Sequence, residues 1–77
     1  MSVNAYVLVV GDVGMAPRIV EAASKIAGVK SAQSITGAYD VIVAVEAEDT
    51  AQLSQIVLEI ENLDGIVDTD TCVVLPT

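Results

Sequence analysis

Thr36-Gly37-Ala38-Tyr39-Asp40 runs directly into Val41-Ile42-Val43-Ala44-Val45, and the junction between these two stretches decides the fold. The second is an unbroken apolar run, β-branched at all positions but Ala44, and the strongest strand signal in the chain. The first holds a glycine able to take positive φ, followed at once by an aromatic and a carboxylate, which predicts a tight hairpin that presents hydrogen-bonding groups. Before it, Val29 to Thr36 mixes Lys30, Ser31, Gln33 and Ser34 with Val29, Ala32 and Ile35. That is the composition of an edge strand guarded against pairing with other chains.

Working outward toward the N-terminus, Ala5 to Val10 (Ala-Tyr-Val-Leu-Val-Val) reads as a buried strand closed by Gly11-Asp12. The period then changes. From about Met15 to Ala27 the apolar positions Ile19, Ala22, Ala23 and Ile26 follow helical spacing, with Pro17 tolerable in a first turn and Gly28 a natural stop. Toward the C-terminus, Asp49 and Gln52 have the spacing of a capping box and open a second helix. Its apolar face carries Leu53, Ile56, Val57, Ile60 and Leu63, and Asp64-Gly65 ends it. A last strand is expected from about Ile66 to Leu75, stopped by Pro76.

The order is βαββαβ. The halves echo each other, with Ile26-Ala27-Gly28-Val29 matched by Leu63-Asp64-Gly65-Ile66. Two right-handed β-α-β units of this kind pack into one α+β domain spanning residues 1–77, with an antiparallel four-stranded sheet and both helices on one face, the ferredoxin-like arrangement.

A domain of 77 residues buries only about 60% of its unfolded surface and needs a staple. Cys72 is the only cysteine and there is no histidine, so an intrachain disulfide is excluded and the usual structural zinc sites lack ligands. Oligomerisation is the remaining staple. A lone cysteine fits a reducing compartment, and the longest apolar run, Ala5 to Val10, is far short of the roughly 20 residues of a membrane helix and follows no basic stretch, so a cytoplasmic protein without a membrane partner is expected. Eleven acidic residues against Arg18, Lys25 and Lys30 give a net charge of −8, which removes the main electrostatic source of affinity for nucleic acid.

Strand alternation predicts an unusual sheet. Val41, Val43 and Val45 oppose Ile42 and Ala44; Val7 and Val9 oppose Tyr6, Leu8 and Val10; Val73 and Leu75 oppose Cys72 and Val74. Three strands are thus expected to be apolar on both faces, where an antiparallel sheet covered on one side usually shows polar residues to water on the other. An apolar patch of that size marks an interface, here with another copy of the chain.

Gly28-Val29, then Thr36-Gly37-x-Tyr39-Asp40 before an apolar strand, then Gly65-Ile66-x-x-Thr69-x-Thr71-x-x-Val74-Leu75, in this order on a βαββαβ pattern, resembles the effector domain of the leucine-responsive Lrp/AsnC regulators, also called the RAM domain. The resemblance covers nearly the whole chain. It implies a ferredoxin-like domain that dimerises through its sheets, builds a ring of dimers and binds an amino acid near the dimer–dimer contacts. Full-length members of that family carry an N-terminal helix-turn-helix, for which no residues are left here before the first strand. The resemblance is therefore to an effector domain alone, sensing an amino acid or joining mixed assemblies with a full-length Lrp/AsnC regulator.

An amino acid needs a carboxylate or carbonyls for its ammonium group, and N–H and hydroxyl donors for its carboxylate. Asp40 is suited to the ammonium, or to hydrogen-bonding its own turn. Gly37 and Ala38 offer backbone amides beside the hydroxyl of Thr36. Thr69 and Thr71 share a strand face and pair two hydroxyls, although threonine is also an ordinary strand residue. Tyr39 suits a pocket wall or an interface. Asp68 and Asp70 point away from the threonines and read as a solvated strand face rather than a metal site, and Cys72 reads as a small buried hydrophobe.

With no histidine, no Ser-His or Lys-rich constellation, no Cys-x-x-Cys pair and no phosphate-binding glycine loop, the residues point away from catalysis, cofactors and metals. Two rivals to an amino-acid-binding regulatory domain stay open at this point. One is an oligomeric scaffold or interaction protein without a ligand; the other is a small dimeric enzyme on the same fold.

Overall fold

In a computed structural model, which describes residues 2–76, the chain runs β1 (Val3–Gly11), α1 (Ala16–Ser24), β2 (Val29–Ser34), β3 (Val41–Ala47), α2 (Thr50–Glu61) and β4 (Ile66–Val73). The strands form one antiparallel sheet in the order β2-β3-β1-β4, the ferredoxin-like topology expected from the βαββαβ order. β2 is an edge strand, as its polar composition indicated, and β4 is the other edge.

Period-2 alternation sets the core. Ala5, Val7 and Val9 of β1 and Val41, Val43, Val45 and Ala47 of β3 are buried under Ile19 and Ala23 of α1 and Leu53, Ile56 and Ile60 of α2, so both helices cover the same sheet face. Ile60 is wholly enclosed, and truncating such a side chain costs about 2–5 kcal/mol.

α2 begins with the expected capping box. The Asp49 carboxylate accepts from the Gln52 amide at 2.8 Å, and the Gln52 side-chain carbonyl takes the Glu48 amide in return. α1 starts without a side-chain cap, with Pro17 in its first turn. Both helices are shorter than their apolar pattern. Ile26 and Leu63 lie past the last turn, where the amides of Ile26 and Leu63 bond the carbonyls of Ala23 and Ile60 at 3.1 Å.

The echo between the halves is a structural repeat. Gly28 and Gly65 sit at φ +96° and +87°, and each carbonyl is taken by the end of a strand from the other half: Gly28 by the Glu46 amide at 2.9 Å, Gly65 by the Asp12 amide at 2.8 Å. A Cβ at Gly28 would collide with the Ile56 side chain.

β4 ends earlier than the apolar run Val73-Val74-Leu75 suggested. The Val74 amide still donates to the Asn4 carbonyl at 2.8 Å, one step past the last ladder pair of Ala5 with Val73.

Candidate functional site

Residues 35–40 connect β2 to β3 as an open loop rather than the tight hairpin expected from Gly37. The Ile35 amide donates to the Asp40 carbonyl at 2.9 Å and closes the loop, while Gly37 at φ +110° turns its tip. Thr36, Gly37 and Ala38 are exposed; Tyr39 and Asp40 are half-buried.

The Asp40 side chain, unlike its carbonyl, does not serve its own turn. Its Oδ2 accepts from the Gly11 amide at 2.9 Å, and its amide donates to the Val9 carbonyl at 2.8 Å. Asp40 therefore prolongs the β1–β3 pairing by one residue on its backbone and a second on its side chain, and the loop is bolted to the end of β1. Sequence reasoning left Gly11 out, because nothing local announces a contact 29 residues away.

Tyr39 reaches the far edge of the sheet. Its hydroxyl donates to Asp70 Oδ2 at 3.1 Å, so the side chain spans β1, which separates β3 from β4. The hydrogen bond to Asp70, reinforced by the negative charge of that carboxylate, holds the phenol proton and raises the Tyr39 pKa above 10.0. Asp70 was read only as a solvated acid; its register opposite Leu8 is what sets it under the Tyr39 hydroxyl.

Thr69 and Thr71 share a face, as alternation required. They stand opposite the buried Val9 and Val7, which puts them on the helix side of the sheet and Asp70 on the other. The Thr69 hydroxyl donates to Glu61 Oε2 of α2 at 2.9 Å. Thr71 joins Leu53, Ser54, Val57 and Leu58 around an open groove of about 400 Å³. Within one chain the structure thus joins Asp40 to the end of β1 and Tyr39 to the middle of β4, and separates Tyr39 from the two threonines by the thickness of the sheet.

The outer face differs from the expected uniform apolar surface. Its centre, on β1 and β3, carries Tyr6, Leu8, Val10, Ile42 and Ala44, with Tyr6 46% exposed. Its margins are polar: Asp68, Asp70 and Cys72 on β4 face outward opposite Val10, Leu8 and Tyr6, and Ser31 and Gln33 of β2 pair with Ala44 and Ile42. Cys72 is exposed rather than buried, because its register places it beside Tyr6, away from the helices. Val74 and Leu75, counted toward an apolar strand, lie beyond it.

Among the described residues, no group of three or more His, Cys, Asp or Glu side chains is placed to hold a metal ion. Among the same described residues, no helix is long and apolar enough to cross a membrane.

Comparison with known proteins agrees with this geometry. A segment of the homocitrate synthase of Sulfurisphaera tokodaii is 44% identical over 52 residues, which are 68% of this chain but 11% of that protein. The chain therefore spans about a tenth of the curated relatives it matches. The crystal structure of TTHA0845 from Thermus thermophilus superposes with a TM-score of 0.91 at 25% identity, covering 97% of this chain and 95% of that one. The hypothetical protein PHS023 from Pyrococcus horikoshii gives 0.88 at 30% identity, covering 97% and 92%. Escherichia coli AsnC shares the fold at 21% identity with a TM-score of 0.89, this chain matching 52% of its length. The family model described as the Lrp/AsnC ligand binding domain matches residues 4–77, and the chain belongs to that family.

Proposed function

We infer that this chain is a non-catalytic regulatory domain that binds an amino acid and works as an assembly of copies. The observation that carries the reading is the Asp40–Gly11 bond at 2.9 Å. It holds the Thr36–Asp40 loop in one shape with Thr36, Gly37 and Ala38 open to solvent, so little ordering is left for a ligand to impose. The loop offers donors for a ligand carboxylate, and Tyr39 and Asp40 form its inner wall. Thr69 and Thr71, on the other face of β4, reach the same ligand from a neighbouring copy. A transcriptional regulator of Neisseria meningitidis with this fold was solved as a complex with L-Met, which supports an amino acid as the ligand class.

Self-assembly rests on the outer face. Tyr6, Leu8, Val10, Ile42 and Ala44 form an apolar centre with polar margins, the anatomy of a protein interface, on a domain too small to be comfortable alone. The assembly is a homodimer through these sheets and a ring of dimers beyond it, open to a full-length Lrp/AsnC regulator as a partner. Direct contact with nucleic acid is disfavoured by the net charge of −8, and a lone exposed cysteine fits the cytoplasm.

A thermal-shift screen against the twenty amino acids tests the ligand. One or a few should raise the melting temperature, by roughly 2.7 kcal/mol of stabilisation at 100 times the dissociation constant. No response to any of them would leave an oligomeric interaction protein. A second reading concerns what the domain controls. Its 44% identity to part of a homocitrate synthase favours regulation of an enzyme as well as of transcription factors, and co-purification with such an enzyme separates the two.

A further inference from the structure

The threonine half of the ligand site has a chemistry of its own. Thr69 and Thr71 lie on the helix side of β4, and the open groove of about 400 Å³ beside Thr71 is walled by Leu53, Val57 and Leu58 of α2. Two residues back along β4, Glu61 of α2 holds the Thr69 hydroxyl through Oε2 at 2.9 Å, and its Oε1 is left to a ligand. Leu58 and Glu61 are three residues apart on the helix, hence neighbours on one flank and about 4.5 Å apart along its axis. A ligand side chain that follows β4 from Thr71 to Thr69 passes apolar walls and ends at a carboxylate.

No base balances that carboxylate. Every residue of both halves of the site falls after position 30, where the chain has no lysine or arginine. Lys25 and Lys30 pair instead with Glu21 at 3.6 Å and Glu46 at 3.9 Å, and Arg18 belongs to α1, which packs on β2 and β3. In the loop half, Thr36 to Asp40, the one charge is Asp40, suited to the α-ammonium. The ligand's α-carboxylate thus relies on loop amides and hydroxyls, and a second carboxylate on the ligand would meet only like charge.

We propose that the amino acid bound here is a basic one, of the lysine or arginine kind, its methylene stem along Val57, Leu58 and Thr71 and its terminal cation on Glu61 beside Thr69. Long cationic side chains lay their stems on apolar surface while the charged head keeps polar company, and a hydrogen bond between ionised partners is about twice as strong as a neutral one. A leucine or methionine side chain also fits the apolar walls but leaves Glu61 without a counter-charge, and a site discriminates more sharply by a missing polar partner than by size. The proposal rests on the amino-acid reading of the same site and adds to it the class of side chain.

Norleucine is the decisive probe, being lysine without the terminal ammonium. Isothermal titration of the assembled protein should give L-lysine a dissociation constant about tenfold or more below that of norleucine, with L-glutamate silent. Glu61→Gln should weaken lysine about tenfold and leave norleucine within about twofold, whereas a merely structural loss at Glu61 would weaken both alike. Glu59→Gln is an equal change of charge on the flank of α2 beside Ala27, and should leave both ligands within about twofold. Norleucine binding as tightly as lysine, equal effects of Glu61→Gln on the two, or tightest binding of a neutral or acidic member of the twenty amino acids would overturn the basic ligand while the amino-acid reading stood. No binding of any of them would overturn both.

Discussion

The Asp40 carboxylate accepts the Gly11 amide at 2.9 Å, and through this bond a side chain at the base of the β2–β3 loop prolongs the ladder between β1 and β3. Replacing Asp40 by alanine leaves a half-buried amide without its acceptor, a loss of about 1–3 kcal/mol. For a domain of this size each 1 kcal/mol lowers the melting temperature by about 4–8 °C. Asp40→Asn keeps an acceptor oxygen and should lose less. If Asp40 also meets the ligand ammonium, Asp40→Asn weakens amino-acid binding while the assembly persists by light scattering. An unchanged ligand response in a destabilised Asp40→Asn protein would restrict Asp40 to its structural bond.

The Tyr39–Asp70 pair should be visible in alkali. Tyr39 holds its proton more tightly folded than unfolded, so its contribution to stability is complete below the ordinary value near 10 and is lost as pH rises through the higher folded value. Absorbance titration of the phenolate should show Tyr39 ionising late, and Asp70→Asn should bring it back toward 10. A titration curve identical in the two proteins would mean that the hydroxyl is not held by Asp70 in solution.

Gly28 and Gly37 both have positive φ, at +96° and +110°, yet alanine should be tolerated unequally. At Gly37 nothing lies within 4 Å of the added methyl, leaving a left-handed backbone cost of about 1–2 kcal/mol. At Gly28 the methyl also meets the Ile56 side chain in the core, and overpacking adds about 1–3 kcal/mol. Denaturant melts of the two variants check the order.

Leu8 stands at the centre of the outer face, between Ile42 and Asp70 in register. Leu8→Asp should turn the assembly into monomers at micromolar concentration by light scattering, since an unpaired buried charge costs several kcal/mol. A wild-type protein that is already a stable monomer would remove the role given to this face.

Duplex DNA should not bind the chain at physiological salt, three bases being too few to neutralise many phosphates against eleven acids. A fluorescence anisotropy titration with salt variation is decisive, and salt-sensitive binding would show that the placement of Arg18, Lys25 and Lys30 outweighs the total.

What the sequence disclosed was whatever depends on neighbours in the chain. Asp49 and Gln52 form their box three residues apart, Gly28 and Gly65 take positive φ where helix must give way to strand, and alternation put Thr69 and Thr71 together and Asp70 opposite. Alternation could not say which face the helices would cover. Cys72 was therefore assigned to the interior and the apolar run to Leu75 counted as sheet. The same gap hid the site's wiring: Asp40 to Gly11 and Tyr39 to Asp70 join residues 29 and 31 positions apart, brought together only once β1 slides between β3 and β4.

That insertion governs how the molecule comes apart. β1 lies beside β3 and β4 and never beside β2, and each helix-to-strand glycine is held by a strand of the opposite half. Neither β-α-β half owns a sheet, so neither has a partly folded form to fall back on. Unfolding must release both at once, and the amides of the central strands should exchange with solvent only through global opening, at a single rate limit. Because β1 pairs with residues 41–47 and 66–73 and with nothing nearer in the chain, the sheet closes only through non-local contacts, which makes this protein slower to fold than a helical bundle of its length.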